Sequence, residues 1–385
     1  MTDNIIAALG KRNRVCQVYL SRLAGWQLED VLAMMQVPFP ELTELHLSSD
    51  GEALPVIANS FLGGSAPRLR SFGLFGTSFP GLPNLLLSAP HLVELRLFDI
   101  RHSGYISPEA MATCLSVLTS LDTFFLGFEF SFSRSRSRPD RGNRHSPPMT
   151  RSILPGLSTI MFEGTSEYLD DLVAQIDAPR LHTLFITFFP QMNFDTPHLV
   201  QFISRIPSFE EPNEAHVNLN PDAEVQLIWS SDGYASRLSV DIFWQDFDPW
   251  QVDPWVDLEE LVPQPSSIAQ VYTMCLPPLP TVENLRLRDF TEPLLDSGWG
   301  VYIDNGQWLE LLRPFAAVKS LYISERFQPN IAHTLQELVG GRTTEVLPSL
   351  QNIFLERFEP PFQEAIGQFV SARQLSGHPI AVLPL

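Results

Sequence analysis

"APHLVELRL", residues 89–97, is one of nine related phrases in this chain of 385 residues. It returns almost unchanged as "APRLRSFGL" at 66–74 and "APRLHTLFI" at 178–186. Looser copies begin at Phe39, Leu118, Leu154, Leu279, Phe315 and Leu347, so successive copies are 27, 23, 29, 36, 24, 101, 36 and 32 residues apart. The second half of the phrase alternates. Leu95 and Leu97 point one way and Glu94 and Arg96 the other, the period-two signature of a half-buried strand. "RVCQVYL" ahead of the first copy, and "EAHVNLN", "EVQLIWS" and "RLSVDIFW" within the long step, read as further strands.

Between the phrases the apolar spacing turns helical. "SPEAMATCLSVL" offers Ser107 as N-cap, Pro108 at the first helical position and Glu109 in the first turn. "SEYLDDLVAQI" places Tyr168, Leu169, Leu172, Val173 and Ile176 on one face. A strand and a helix every 23–36 residues is the leucine-rich-repeat plan. The expected fold is therefore α/β: an irregular leucine-rich-repeat-like solenoid over residues 1–385, a single domain with parallel strands on one face and helices on the other. One unit cannot bury its own apolar face, whereas stacking buries it continuously. The prolines within the phrases are expected at strand starts, where a fixed φ costs no ladder bond and the preceding helix is stopped. The familiar repeat has Asn or Cys three positions beyond the phrase's last leucine. Here Asp50, Thr77, Ile100, Glu129, Thr165, Phe189, Phe290, Arg326 and Phe358 stand there, so no asparagine ladder is expected.

Two stretches interrupt the array. Residues 131–148, "SFSRSRSRPDRGNRHSPP", hold Arg134, Arg136, Arg138, Arg141 and Arg144 with few apolar anchors, which predicts a disordered loop. Ser135 and Ser137, flanked by arginine, also fit a phosphorylation-controlled or anion-binding segment. Residues 244–265 are acidic and aromatic, with six acids between Asp246 and Glu260 and with Trp244, Trp250 and Trp255 among them. They predict an insertion packed by its tryptophans, or a partner-binding edge.

The net charge is −19, which disfavours nucleic acid as a partner. No apolar run is long enough to span a membrane, and no signal-peptide core opens the chain, so the expected setting is cytoplasmic or nuclear. The cysteines Cys16, Cys114 and Cys275 are scattered, which fits free thiols in a reducing compartment. No nucleophile elbow, zinc-binding His pair, P-loop or dinucleotide fingerprint occurs, and the nine histidines are dispersed. No cofactor, no metal and no catalytic site are expected.

The candidate site is instead the strand face, where residues between the repeat leucines are polar, charged or aromatic. These are Glu44 and His46, Glu94 and Arg96, Thr183 and Phe185, Asn284 and Arg286, Ser320 and Tyr322, and Asn352 and Phe354. Strands about 4.8 Å apart would join them into one surface for a protein partner, with aromatic and arginine residues dominating its energetics. Aromatics that merely cover the sheet fit the same pattern.

Longer phrases carry a resemblance: "FLGGSAPRLRSFGL", "HSGYISPEAMATCLSVLTSL", "LFITFF", "SSIAQVYTMCLPPLPTVENLRL" and "FVSARQLSGHPIAV". Over most of residues 5–385 the chain resembles the fungal, mushroom-type F-box and leucine-rich-repeat-like proteins. In that family an F-box docks on the Skp adaptor of a cullin ubiquitin ligase and the array presents a substrate. The chain shows no opening helix-rich segment with the Leu-Pro start of an F-box. The resemblance therefore implies the substrate-binding part of such a receptor without its F-box. A stand-alone scaffold, a truncated gene product and an enzyme with an unrecognised site are the other readings.

Overall fold

The computed structural model describes residues 2–49, 56–129, 150–189, 194–210, 214–219, 223–231, 234–242, 281–288, 305–325, 345–356 and 360–385, with a few single positions between them. The loop expected at 131–148 and the insertion expected at 244–265 lie outside the described residues. The chain divides into two compact units, Met1–Leu184 and Phe185–Leu385.

Eight of the nine phrases, all but the copy at Leu279, open in the same tight turn, whose N–H, from the fourth residue, bonds the carbonyl of the first: Leu92 to Ala89 at 3.1 Å, Leu69 to Ala66 at 3.1 Å, Leu181 to Ala178 at 3.1 Å. Proline at the second position, as at Pro67, Pro90 and Pro179, presets the φ such a turn needs. The phrase prolines thus stand in a turn four residues ahead of the strand rather than at its first residue. The strand begins at the sixth position. The carbonyl just before it accepts two N–H groups from the next copy: Thr43 from Arg70 and Ser71, Arg70 from Val93 and Glu94, Val93 from Asp122 and Thr123. Such shared bonds lock the register from copy to copy. The first, fourth, seventh and ninth positions of every copy are buried, none more than 5% exposed. A buried leucine of this kind contributes roughly 1.5–3 kcal/mol of hydrophobic stabilisation, and the repetition concentrates it in one continuous core per unit.

In the first unit, strands β1 (Gln17–Leu23), β2 (Glu44–Ser49), β3 (Ser71–Phe75), β4 (Glu94–Ile100) and β5 (Thr123–Phe128) run parallel in chain order, followed by β7 (Thr159–Gly164). The two-residue strands β6 (Ser152–Ile153) and β8 (Ile176–Asp177) pair separately. Helices α1 (Thr2–Leu9), α2 (Gly25–Met34), α3 (Leu82–Leu87), α4 (Pro108–Val117) and α5 (Ser166–Val173) supply the crossovers and packing that parallel strands require. α4 is capped as expected, the Ser107 side chain accepting the Ala110 N–H at 3.2 Å. For α5 the cap is Thr165, and Ser166 is the first helical residue. Tyr168, Leu169, Leu172 and Val173 are buried along it, while Ile176 falls in β8. Strand β9 (Thr183–Phe188) carries the division between the units.

The second unit departs from the expected run of repeats. Strands β10 (Glu214–Leu219), β11 (Ala223–Ser231) and β12 (Tyr234–Ile242) form an antiparallel meander, β11 being antiparallel to both neighbours. Their connections are too short to hold a crossover helix. From β10 the sheet continues parallel through β13 (Asn284–Arg288), β14 (Ser320–Ile323), β15 (Asn352–Leu355) and β16 (Ala381–Pro384). Helices α6 (Pro197–Ser204), α7 (Asn305–Leu312) and α8 (Pro360–Leu375) belong to this unit. The architecture is mixed α/β with mostly parallel strands, and neither sheet closes into a barrel. No described helix is long and apolar enough to cross a membrane.

Candidate functional site

The sixth and eighth positions of the phrases face away from the core and fall in line across the strands. In the first unit one row reads Gln17, Glu44, Ser71, Glu94, Thr123, Thr159, and the next reads Tyr19, His46, Gly73, Arg96, Phe125, Met161. In the second unit the rows are Glu214, Asn284, Ser320, Asn352, Ala381 and His216, Arg286, Tyr322, Phe354, Leu383. Of the twelve expected residues, Glu44, His46, Glu94 and Arg96 come together in the first unit. Asn284, Arg286, Ser320, Tyr322, Asn352 and Phe354 come together in the second. Thr183 and Phe185, both half-buried, stand on β9, with Thr183 Oγ1 2.9 Å from His182 Nδ1.

Side chains in the first unit bond to one another across four strands. Glu44 accepts from Gln17 Nε2 at 2.8 Å and from the Tyr19 hydroxyl. That hydrogen bond to a carboxylate raises the Tyr19 pKa, since losing the proton would bring two anions together. The Tyr19 ring stacks on His46 at 4.8 Å. His46 Nε2 lies 2.8 Å from Ser71 Oγ, and Ser71 Oγ donates to Glu94 at 2.6 Å. Because the serine proton is committed to Glu94, His46 must donate, which assigns its proton to Nε2. Arg96 pairs with Glu94 and lies over the Phe125 ring, its guanidinium carbon 4.8 Å from the ring centre.

Burial depresses the His46 pKa, because an imidazolium there would lose hydration. Burial would raise that of Glu94, but hydrogen bonds from Ser71 and Arg96 outweigh it and hold the carboxyl below its usual value. The His46–Ser71–Glu94 chain is not a catalytic triad. A serine nucleophile needs the imidazole to take its proton, whereas here the imidazole donates. The carboxylate that does accept the serine proton is a weakened base.

The second unit repeats the recipe with different residues. Glu214 pairs with Arg286 and lies 2.9 Å from His216 Nε2. Arg286 sits over Tyr322, 4.0 Å from the ring centre, and Tyr322 stacks on Phe354 at 4.5 Å with a 7° interplanar angle. Burial again depresses the histidine, His216. For Glu214 the bonds from Arg286 and His216 overcome burial and lower the pKa. Each unit thus holds an arginine that pairs with a glutamate and lies over an aromatic ring, two contacts that fix the guanidinium in place.

The face also includes Tyr19, Ser71, Gly73, Phe125, Glu214 and His216, which were not among the expected residues. Ser71, Gly73 and Phe125 occupy the same phrase positions as their neighbours, so phrase position alone would have found them. Glu214 and His216 lie in "EAHVNLN", whose own alternation marks the same face. A small cavity lined by Leu74, Thr77, Phe79, Leu82, Leu97, Phe98, Ile100 and Gly104 is about 10 Å³, room for one water at most. Thr77, standing where the familiar repeat has Asn, is buried beside it. Among the described residues no group of three His, Cys, Asp or Glu could hold a metal ion. Cys16 is exposed and Cys114 buried, both free; burial pushes the Cys114 pKa up to about 11. No family model and no curated protein matches the chain.

Proposed function

We propose that this chain is a non-enzymatic protein-binding module, a leucine-rich-repeat-like solenoid that holds its partner on the strand face. The observation that carries the reading is the preorganised outer face: polar, charged and aromatic side chains aligned in register and bonded to one another across strands. A face that merely covers a core needs neither stacked guanidinium groups nor exposed rings such as Tyr19, which is 58% exposed. The resemblance to F-box and leucine-rich-repeat-like proteins extends the proposal: the module serves as a substrate-binding part of a cullin ubiquitin-ligase receptor, in the cytoplasm or nucleus. Only Lys11 and Lys319 are lysines, which leaves few sites for self-ubiquitination.

Affinity purification with mass spectrometry tests both levels. Skp adaptor and cullin among the partners support the ligase assignment, and their absence overturns it. A recovered partner should then lose binding to Arg96→Ala, Arg286→Ala or Tyr322→Ala at unchanged melting temperature. Binding that survives all three, and fails when Trp250 and Trp255 are replaced, would move the interface to the acidic stretch.

A further inference from the structure

The starts of the strands in the first unit form a rim, and basic side chains gather along its first part. Arg14, Glu41 and Arg68 stand three residues ahead of Gln17, Glu44 and Ser71, which lie side by side in β1, β2 and β3. Arg70 stands directly ahead of β3, and Lys11 directly ahead of the short 3-10 turn Arg12–Arg14. Backbone bonds fix the arrangement: the Cys16 carbonyl accepts from Thr43 and Glu44, and the Thr43 carbonyl from Arg70 and Ser71. An ion pair between Arg68 and Glu41 joins neighbouring copies along the rim.

Five of the chain's 25 lysines and arginines thus share this rim with one acid, in a chain whose net charge is −19. Lys11, Arg12, Arg14, Arg68 and Arg70 are all exposed. Glu41 is taken by Arg68, and among the described residues Lys11, Arg12, Arg14 and Arg70 have no ion pair. The carboxylates of the row that follows are committed elsewhere, Glu44 to Gln17 and Tyr19, Glu94 to Ser71 and Arg96. Further along, the rim changes character. Val93, ahead of β4, is 40% exposed, and Asp122, ahead of β5, is an exposed acid.

The spread of the cations selects the ligand. From β1 to β3 is two strand spacings, roughly 10 Å. A single phosphate-sized anion cannot touch cations that far apart, whereas three or four residues of extended chain, at about 3.3 Å each, span them. A short acidic run stays within a Debye length of the cations, about 8–10 Å, and feels their field. A nucleic acid strand would run on over a surface whose overall charge repels it. Val93 offers an apolar contact at the end of the run, and Asp122 closes the strip to further acids.

We propose that the rim of Lys11, Arg12, Arg14, Arg68 and Arg70 is a docking strip for a short acidic segment of a protein partner, laid across the starts of β1, β2 and β3. The strip lies outside the outward rows of the strand face and stands whether or not that face binds.

Fluorescence anisotropy on the full chain tests this with two labelled, blocked peptides: a run of glutamates followed by leucine, and the same peptide with glutamine for every glutamate. The glutamate peptide should bind and weaken as salt is raised, and the glutamine peptide should not bind. Replacing three exposed cations together, R12Q, R14Q and R70Q, should weaken the glutamate peptide about tenfold at an unchanged melting temperature. R313Q, which removes an exposed arginine of the second unit, should leave it unchanged. Equal loss in R313Q would show diffuse attraction and overturn the strip. Loss in R96A but not in the triple variant would put the acidic segment on the strand face and overturn it too. Equal binding of both peptides, or no binding of either at low salt, sinks the proposal. So does a single-stranded RNA oligonucleotide that displaces the glutamate peptide and binds more tightly, since the ligand would then be a nucleic acid.

Discussion

The His46 imidazole covers Gly73, the residue beside it on the next strand: a Cβ at position 73 would overlap Nδ1 and stand 3.0 Å from Cε1. Glycine is required here by that close approach, since any side chain would push His46 off Tyr19 and Ser71. Gly73→Ala should destabilise the first unit by about 1–3 kcal/mol through overpacking. His46→Ala in the same chain should recover most of the loss, because the overlap is gone. Urea melts of the two single variants and the double variant measure the coupling; additive losses would show that the overlap is not the cause.

Stability should fall on mild acidification. His46 and His216 are both depressed below the usual 6.5, chiefly by burial. Each therefore binds its proton more readily in the unfolded chain. The stability this contributes is fully present above about pH 6.5 and is lost as pH falls through the lower folded value. Urea midpoints at about pH 7.5 and about pH 5.5 should differ, and His46→Gln should narrow the difference. A His46 resonance titrating above 6.5 would contradict the sign.

Leu95 is fully buried at the seventh phrase position, and Leu87 in α3 is 46% exposed. Leu95→Ala should cost about 2–5 kcal/mol through the cavity it leaves. Leu87→Ala should cost far less. Equal shifts of the two in denaturant melts would count against the repeat register.

Arg373 in α8 is fully buried, and its Nη2 donates to the carbonyls of Leu347, Pro348 and Leu350 at 3.4, 3.3 and 3.1 Å. These carbonyls belong to the turn opening the last phrase, where Leu347 has a φ of 49°. Arg373→Met keeps the bulk and removes the donors, so it should cost about 1–3 kcal/mol. Arg373→Lys should not restore the loss, because an ammonium lacks the planar fork. Thermal melts of the two variants check this.

The antiparallel meander β10–β12 is the clearest place where sequence reading and structure part. The step of 101 residues invited three or four more strand–helix units, but alternation reports only that a strand is half-buried and not which way its neighbour runs. Asp232-Gly233, between β11 and β12, is a dipeptide that favours two-residue hairpins and was the local sign available. The phrase prolines punctuate the chain as expected but stand four residues ahead of the strand, because a turn precedes it.

The sequence alone determined which side chains are core and which face outward. Strand alternation is a property of the backbone, and nine copies of one phrase impose the same alternation at the same offset. Only the tertiary structure decided which outward residues meet. Glu214 and Arg286 pair across 72 residues, Ser71 joins His46 to Glu94, and Arg96 lies on Phe125. These contacts run perpendicular to the chain, between strands whose separation in sequence is set by intervening loops and helices. The physical reason is that register between strands is fixed by bonds such as those from Arg70 and Ser71 to the Thr43 carbonyl, which form only when successive copies stack.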